Sequence, residues 1–176
     1  MHLYALEHFC KAMGMQVNTS KTKIMIFSNK RKQSHHTFFF EGKILEEVNE
    51  YKYLGIDFNN KINWEDCKKK RILGGWKALY ALQNRCREAN LWDWNMTKVL
   101  FGILVCPVIL YECELWASNT SVSKWKQIEK IRKRLIMRKL KIKNLVPYEI
   151  MLSETRAAPI EAIVMVCLIR YLKIIE

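Results

Sequence analysis

The sequence predicts an α+β protein: a small antiparallel sheet with one helix in the first third, followed by a mainly helical region. Two observations carry this. Short runs of β-forming residues separated by turn or charged segments crowd between Lys23 and Phe58, and from Trp64 onward apolar residues recur at helical spacing. The change of pattern falls near Asn59 to Asn63, so 1–60 and 61–176 are expected to form separate regions.

Leu3, Leu6, Phe9, Cys10 and Met13 lie on one helical face, and Gly14 stands where a left-handed C-cap belongs, which predicts a helix ending there. Strands are expected at Lys23 to Ser28, Thr37 to Phe40, Lys43 to Val48 and Tyr51 to Phe58, with a charged linker at Lys30 to His36. Glu41-Gly42 supplies the turn between the second and third. Ile72, Leu73, Trp76, Leu79, Tyr80 and Gln83 mark the buried face of the first long helix. Gly74-Gly75 in its middle costs about 1 kcal/mol per glycine relative to alanine; a local kink is the preferred account over a close approach by another backbone. Asp93 or Asn95 caps the next helix, which runs through Lys98 to Cys106. The apolar run Val99 to Tyr111 is too short for a membrane span, which needs about 20 residues, and reads as a buried helix bent or ended at Pro107. A further helix follows Thr120 to Ser123, and Pro147 and Pro159 sit where a first helical turn tolerates proline.

Composition favours a polyanionic partner. The 176 residues carry 30 Lys and Arg against 17 Asp and Glu, a net charge of +13. A charge of that size attracts nucleic acid directly and through counterion release. Ten of the basic residues fall between Lys124 and Lys143, opposed by Glu129 alone, while Trp125, Ile128, Ile131 and Leu135 form an apolar stripe at helical spacing. Such a helix docks by one side and offers the other to phosphates, so Lys126, Lys130, Lys133, Arg134 and Lys141 are candidate contacts; a merely solvated face is the alternative. Lys69 and Lys70, within Lys68 to Arg71, form a smaller patch of the same kind.

Other chemistries find little support. The six cysteines show no C-x-x-C pair and no zinc pattern with the four histidines, and they sit among apolar neighbours as buried free thiols do. That usage, with no apolar signal region, points to an intracellular setting, nuclear or cytoplasmic, where the Asn-x-Ser/Thr matches at Asn18, Asn95 and Asn119 are chance. Two-metal catalysis needs convergent carboxylates. Asp57, Asp66 and Asp93 fall in separate predicted elements, and no Asp-Asp pair exists. No cofactor is expected in this chain.

Asn18 to Lys23 (NTSKTK), after a helix and before a β run, and Tyr51 to Ile56 (YKYLGI) together resemble motif D and motif E, the primer grip, of non-LTR (LINE-type) retroelement reverse transcriptases. Pro107 to Trp116 (PVILYECELW) is similar to a segment after the thumb in that family, and Glu154 to Pro159 (ETRAAP) to a later feature. Glu112 departs from it, standing where the family commonly has Gly. The resemblance covers nearly the whole chain. It implies a palm remnant over 1–60 and a thumb with its following helices over 61–176.

It further implies that Lys21 lies near nucleotide phosphates as a possible general acid, with Lys23 a second candidate, and that Tyr53 and Gly55 contact nucleic acid. Leu54 and Ile56 are expected in the core. The resemblance places the catalytic aspartates and their magnesium upstream, in the remainder of the palm. The chain alone is then inactive and binds RNA, DNA or an RNA/DNA hybrid. The helix that begins without a cap at Met1, and the periodicity still running at Ile174 and Ile175, fit a fragment. Two other classes stay open: a basic helical nucleic-acid-binding module without catalytic ancestry, and a protein-interaction module for an acidic partner.

Overall fold

The computed structural model describes residues 2–28, 36–91, 93–142 and 146–175. The chain divides into two compact units, Met1–Asp66 and Cys67–Glu176. Most of the predicted linker at Lys30 to His36, and Lys143 of the basic segment, lie outside the described residues.

The first unit is α+β. Its helix α1 (His2–Ala12) ends as predicted: Gly14 takes φ +65°, Met15 N–H reaches the Cys10 carbonyl at 2.9 Å and Gly14 N–H the Lys11 carbonyl at 3.3 Å, the paired bonds of a Schellman cap. Tyr4, Leu6 and Phe9 of this helix, and Met13 just beyond it, are exposed and Cys10 is buried. Strands β1 (Lys23–Ile24), β2 (Phe38–Phe40) and β3 (Lys43–Glu47) form a sheet of order β1-β3-β2, in which β2 and β3 are antiparallel and β1 runs parallel to β3. Phe40 pairs with Lys43 across Glu41-Gly42, whose φ values of 48° and 73° make the two-residue turn that a twisted hairpin prefers.

Tyr51 to Phe58 is not one strand. It is a second hairpin, β4 (Glu50–Tyr53) and β5 (Ile56–Asn59), with Tyr53 opposite Ile56 and a two-residue turn at Leu54 (φ 49°) and Gly55 (φ 86°). Both turn positions need positive φ, which Gly55 supplies freely and Leu54 adopts at a cost. Leu54 is therefore 69% exposed at the tip and not in the core, whereas Ile56 is buried as expected. Of the predicted strand Lys23 to Ser28 only Lys23 and Ile24 form a strand, paired with β3, while Ser28 N–H bonds to the Asn60 carbonyl at 3.1 Å.

The second unit is helical: α2 (Glu65–Glu88, its first two residues in the preceding unit), α3 (Trp94–Leu100), α4 (Cys106–Leu110), α5 (Cys113–Trp116), α6 (Val122–Leu140), α7 (Tyr148–Thr155) and α8 (Ile160–Ile175). Asp93, not Asn95, caps α3, its carboxylate accepting from Met96 N–H at 2.7 Å. A π-helical turn, Phe101–Val105, joins α3 to α4 and bonds Cys106 N–H back to the Phe101 carbonyl. The wider register ends just before Pro107, whose missing N–H and bulky ring a regular helix would not accommodate. The predicted bend is thus a change of helical register, and only one face is buried: Phe101, Val105, Cys106 and Ile109 are inside, Ile103 and Leu104 outside.

Helix α2 runs unbroken through Gly74-Gly75. A Cβ on Gly75 would lie 2.6 Å from Ile109 Cγ1 and 2.9 Å from Ile131 Cδ1, so α4 and α6 close onto this glycine. Close approach, not a kink, explains the pair. The buried face of α2 accordingly follows Cys67, Gly75, Leu79, Leu82, Gln83 and Cys86, leaving the predicted core residues Leu73 and Tyr80 exposed. Ile128, Ile131 and Ile136 of α6 are fully buried, as is Trp116, whose ring centroid lies 6.1 Å from that of Trp125. Helices α7 and α8 both pack on α6.

Tyr111 (φ −54°, ψ 117°) and Glu112 (φ 52°, ψ 40°) approach the central pair of a type II turn, which asks for glycine second. The departure at Glu112 therefore falls on a left-handed residue, and its Oε2 is buried without a partner. Glu112→Gly removes both strains at once. It is expected to raise stability by about 1 kcal/mol in a urea titration, the left-handed cost for an L-residue less the added chain entropy of glycine.

Candidate nucleic-acid interface

In the first unit the sequence motif is a built turn. Asn18 Oδ1 accepts from the N–H groups of Ser20 (3.1 Å) and Lys21 (3.2 Å), and its carbonyl accepts from Thr22 N–H at 3.0 Å and Thr22 Oγ1 at 2.9 Å. That explains an Asn three residues before the lysine: it shapes the turn that leaves Lys21 exposed ahead of β1. Lys23, two residues on, pairs with Glu46 of β3.

Lys23, Tyr51 and Tyr53 share the lining of an open cleft of about 240 Å³, with Phe27 and Phe58. Tyr51 and Tyr53 project to the same side of β4, being two residues apart, and are 42% and 57% exposed. Two of the residues singled out in the sequence, Lys23 and Tyr53, are thus brought together. Lys21 and Gly55 are not among the residues lining the cleft; Gly55 sits at the hairpin tip.

In the second unit α6 is built as expected, with Ser121 capping its start at Lys124 N–H and Trp125, Ile128, Ile131 and Leu135 buried. Lys126, Lys130 and Arg134 are exposed at i, i+4 spacing, a ridge advancing about 6 Å per step. Arg138 continues the ridge but donates to Gln83 Oε1 at 2.8 Å, and Lys139 donates to the Leu91 carbonyl at 3.2 Å. Lys133 is half-buried. With Lys126 and Lys130 it lines a cleft of about 410 Å³ that also holds Glu129, Glu149 and Glu161. The basic segment therefore meets acids from α7 and α8 that its own sequence does not contain. Lys141 is exposed beyond the helix end, at φ 53°.

Arg132 belongs to the interior. Only 7% exposed, it donates to the Ala158 carbonyl, approaches Cys106 Sγ at 3.7 Å and lies 5.1 Å from the Phe101 ring centroid. Position in a basic run gives no sign of this role. On α2, Lys69 and Lys70 are exposed as expected, but Lys68 is buried with Nζ 2.6 Å from the Asn119 carbonyl, and Arg71 lies over the Tyr111 ring at 4.5 Å.

Among the described residues, neither the Cys113 nor the Cys106 thiol is activated as a nucleophile. Burial, with Glu114 and Cys167 adding to it, pushes the Cys113 thiol up to about 12, and burial raises Cys106 against the opposing pull of Arg132. Both thiols stay protonated at neutral pH. Burial, then the 2.6 Å hydrogen bond to Glu129, raises the Tyr148 phenol. Asp57 lies in β5, Asp66 in the first turn of α2, and Asp93 is engaged as a cap. Among the described residues no group of three or more His, Cys, Asp or Glu could hold a metal ion, so these side chains do not fit a two-metal centre. Among the same residues no helix is long and apolar enough to cross a membrane.

No family model and no solved structure matches the chain. It is similar to an uncharacterized transposon-derived protein of Caenorhabditis elegans, 27% identical over 124 residues. The match covers 69% of this chain and 43% of that protein, so the chain spans less than half its relative's length.

Proposed function

We propose that this chain derives from a transposable element and is the rear part of a non-LTR retroelement reverse transcriptase, holding an RNA, DNA or hybrid primer-template without carrying its catalytic carboxylates. The observation that carries the reading is the cleft where Lys23 meets Tyr51 and Tyr53, because two separate sequence motifs supply its walls. Exposed aromatic faces beside Lys23, which is paired with Glu46, suit a strand stacked through sugar or base, with little dependence on sequence. The Lys126, Lys130 and Arg134 ridge adds a backbone contact. Similarity to a transposon-derived protein supports the same origin. The exposed apolar face of α1 suits the upstream palm as a partner, and magnesium would be held there by that partner's carboxylates.

The test is binding of single-stranded, duplex and hybrid oligonucleotides of unrelated sequence by fluorescence anisotropy at several salt concentrations. All three should bind, with affinity falling as salt rises. The same protein, given primer-template, dNTPs and magnesium, should extend nothing. Absence of binding at low salt, or incorporation that follows the protein through purification, would overturn the reading.

A further inference from the structure

A cavity of about 470 Å³ in the helical unit joins an apolar wall to three cations. Trp94, Phe101, Leu135 and Ile163 contribute to the wall, Lys98, Arg132 and Arg156 are the charges, and none of its lining residues is acidic. Two of these cations are hydrogen-bonded to neutral oxygens. Lys98 Nζ donates to the carbonyls of Thr155 and Arg156, and Arg132 to that of Ala158, all at the end of α7 or just beyond it. Arg132 is nine-tenths buried, and its Nε has no partner.

Burying a guanidinium without a counter-charge is costly unless something negative comes close. Most of what surrounds these charges is aromatic or aliphatic, which suits a flat apolar body more than a polar one. We propose that this cavity binds a small aromatic carboxylate, its ring against Trp94 and Phe101 and its anionic end toward Lys98, Arg132 and Arg156. The site is independent of the nucleic-acid surfaces described above.

Two substitutions test it without endangering the fold. Gly102 lines the cavity, and a Cβ there would meet nothing within 4 Å, so Gly102→Leu fills the space while replacing a poor helix former. Arg156 holds φ +47°, so Arg156→Gly removes one charge and relieves a left-handed residue. Calorimetric titration of the full chain with 1-naphthoate should show saturable binding. Both variants, with urea midpoints at or above the parent's, should bind it at least about tenfold more weakly, as should the parent bind neutral 1-naphthalenemethanol. Adenosine monophosphate, anionic on a polar body, should bind more weakly than naphthoate. No saturable naphthoate binding, unchanged affinity in the folded variants, or equal affinity for the alcohol or the nucleotide would each overturn the proposal.

Discussion

Gly75→Val is expected to destabilise the helical unit by about 3 kcal/mol, the upper end of what an overpacked core position costs. The added Cβ alone falls 2.6 Å from Ile109 Cγ1 and 2.9 Å from Ile131 Cδ1, and two further methyls have to enter the same space. Ile109 and Ile131 are fully buried, so neither has free volume to retreat into. Gly74 is the control. Its Cβ would meet only Val108 Cγ1, at 3.1 Å, and Val108 is 37% exposed and can give way. Gly74→Ala should therefore raise stability by up to about 1 kcal/mol, the helix-propensity difference. Urea unfolding followed by tryptophan fluorescence measures both. Equal effects of Ala at 74 and Val at 75 would mean that α4 and α6 do not close on this glycine.

The same pair shows where sequence stops being informative. That the chain is α+β, that a helix ends at Gly14 and that Trp125, Ile128, Ile131 and Leu135 face inward all follow from local periodicity and cap chemistry, and all are seen. Which side of α2 is buried does not, because its tightest contact is made by a residue with no side chain. Apolar Leu73 and Tyr80 draw the predicted face away from it. The hairpin within Tyr51 to Phe58 is hidden for a related reason: the alternation runs on through Leu54-Gly55, and a leucine at a positive-φ turn position is not a turn signal. Gly55 alone marks it.

At the candidate site, Lys23 and Tyr53 are legible in the sequence and their common cleft is not, since it depends on how the β4–β5 hairpin lies beside β1. Charge is the least legible property. Lys124 to Lys143 counts as an almost uncompensated run in sequence, yet Arg132 turns inward, Arg138 and Lys139 bond to neighbouring helices or their ends, and Glu149 and Glu161 come in from elsewhere. A count of charges cannot distinguish a guanidinium that packs on Phe101 from one that meets a phosphate.

That distinction fixes what a charge-removal experiment should show. Replacing Lys126, Lys130 and Arg134 together with glutamine is expected to reduce the log-log salt slope of nucleic-acid binding by roughly 2 to 3, because every phosphate left unneutralised lowers it by about 0.7 to 0.9. These three are the exposed ridge of α6, and amide side chains preserve its helix propensity, so circular dichroism should be unchanged. Lys133→Gln should move the slope much less. Lys133 is half-buried, whereas Lys126 and Lys130, which line the same cleft with its three glutamates, are exposed, so Lys133 has the least access to a phosphate. Arg132→Gln should instead lower stability while leaving the slope alone, since it strands a buried polar group between Phe101 and Ala158. A folded triple variant that keeps the parent's slope would place the phosphate contacts elsewhere and leave the ridge an ordinary solvated face.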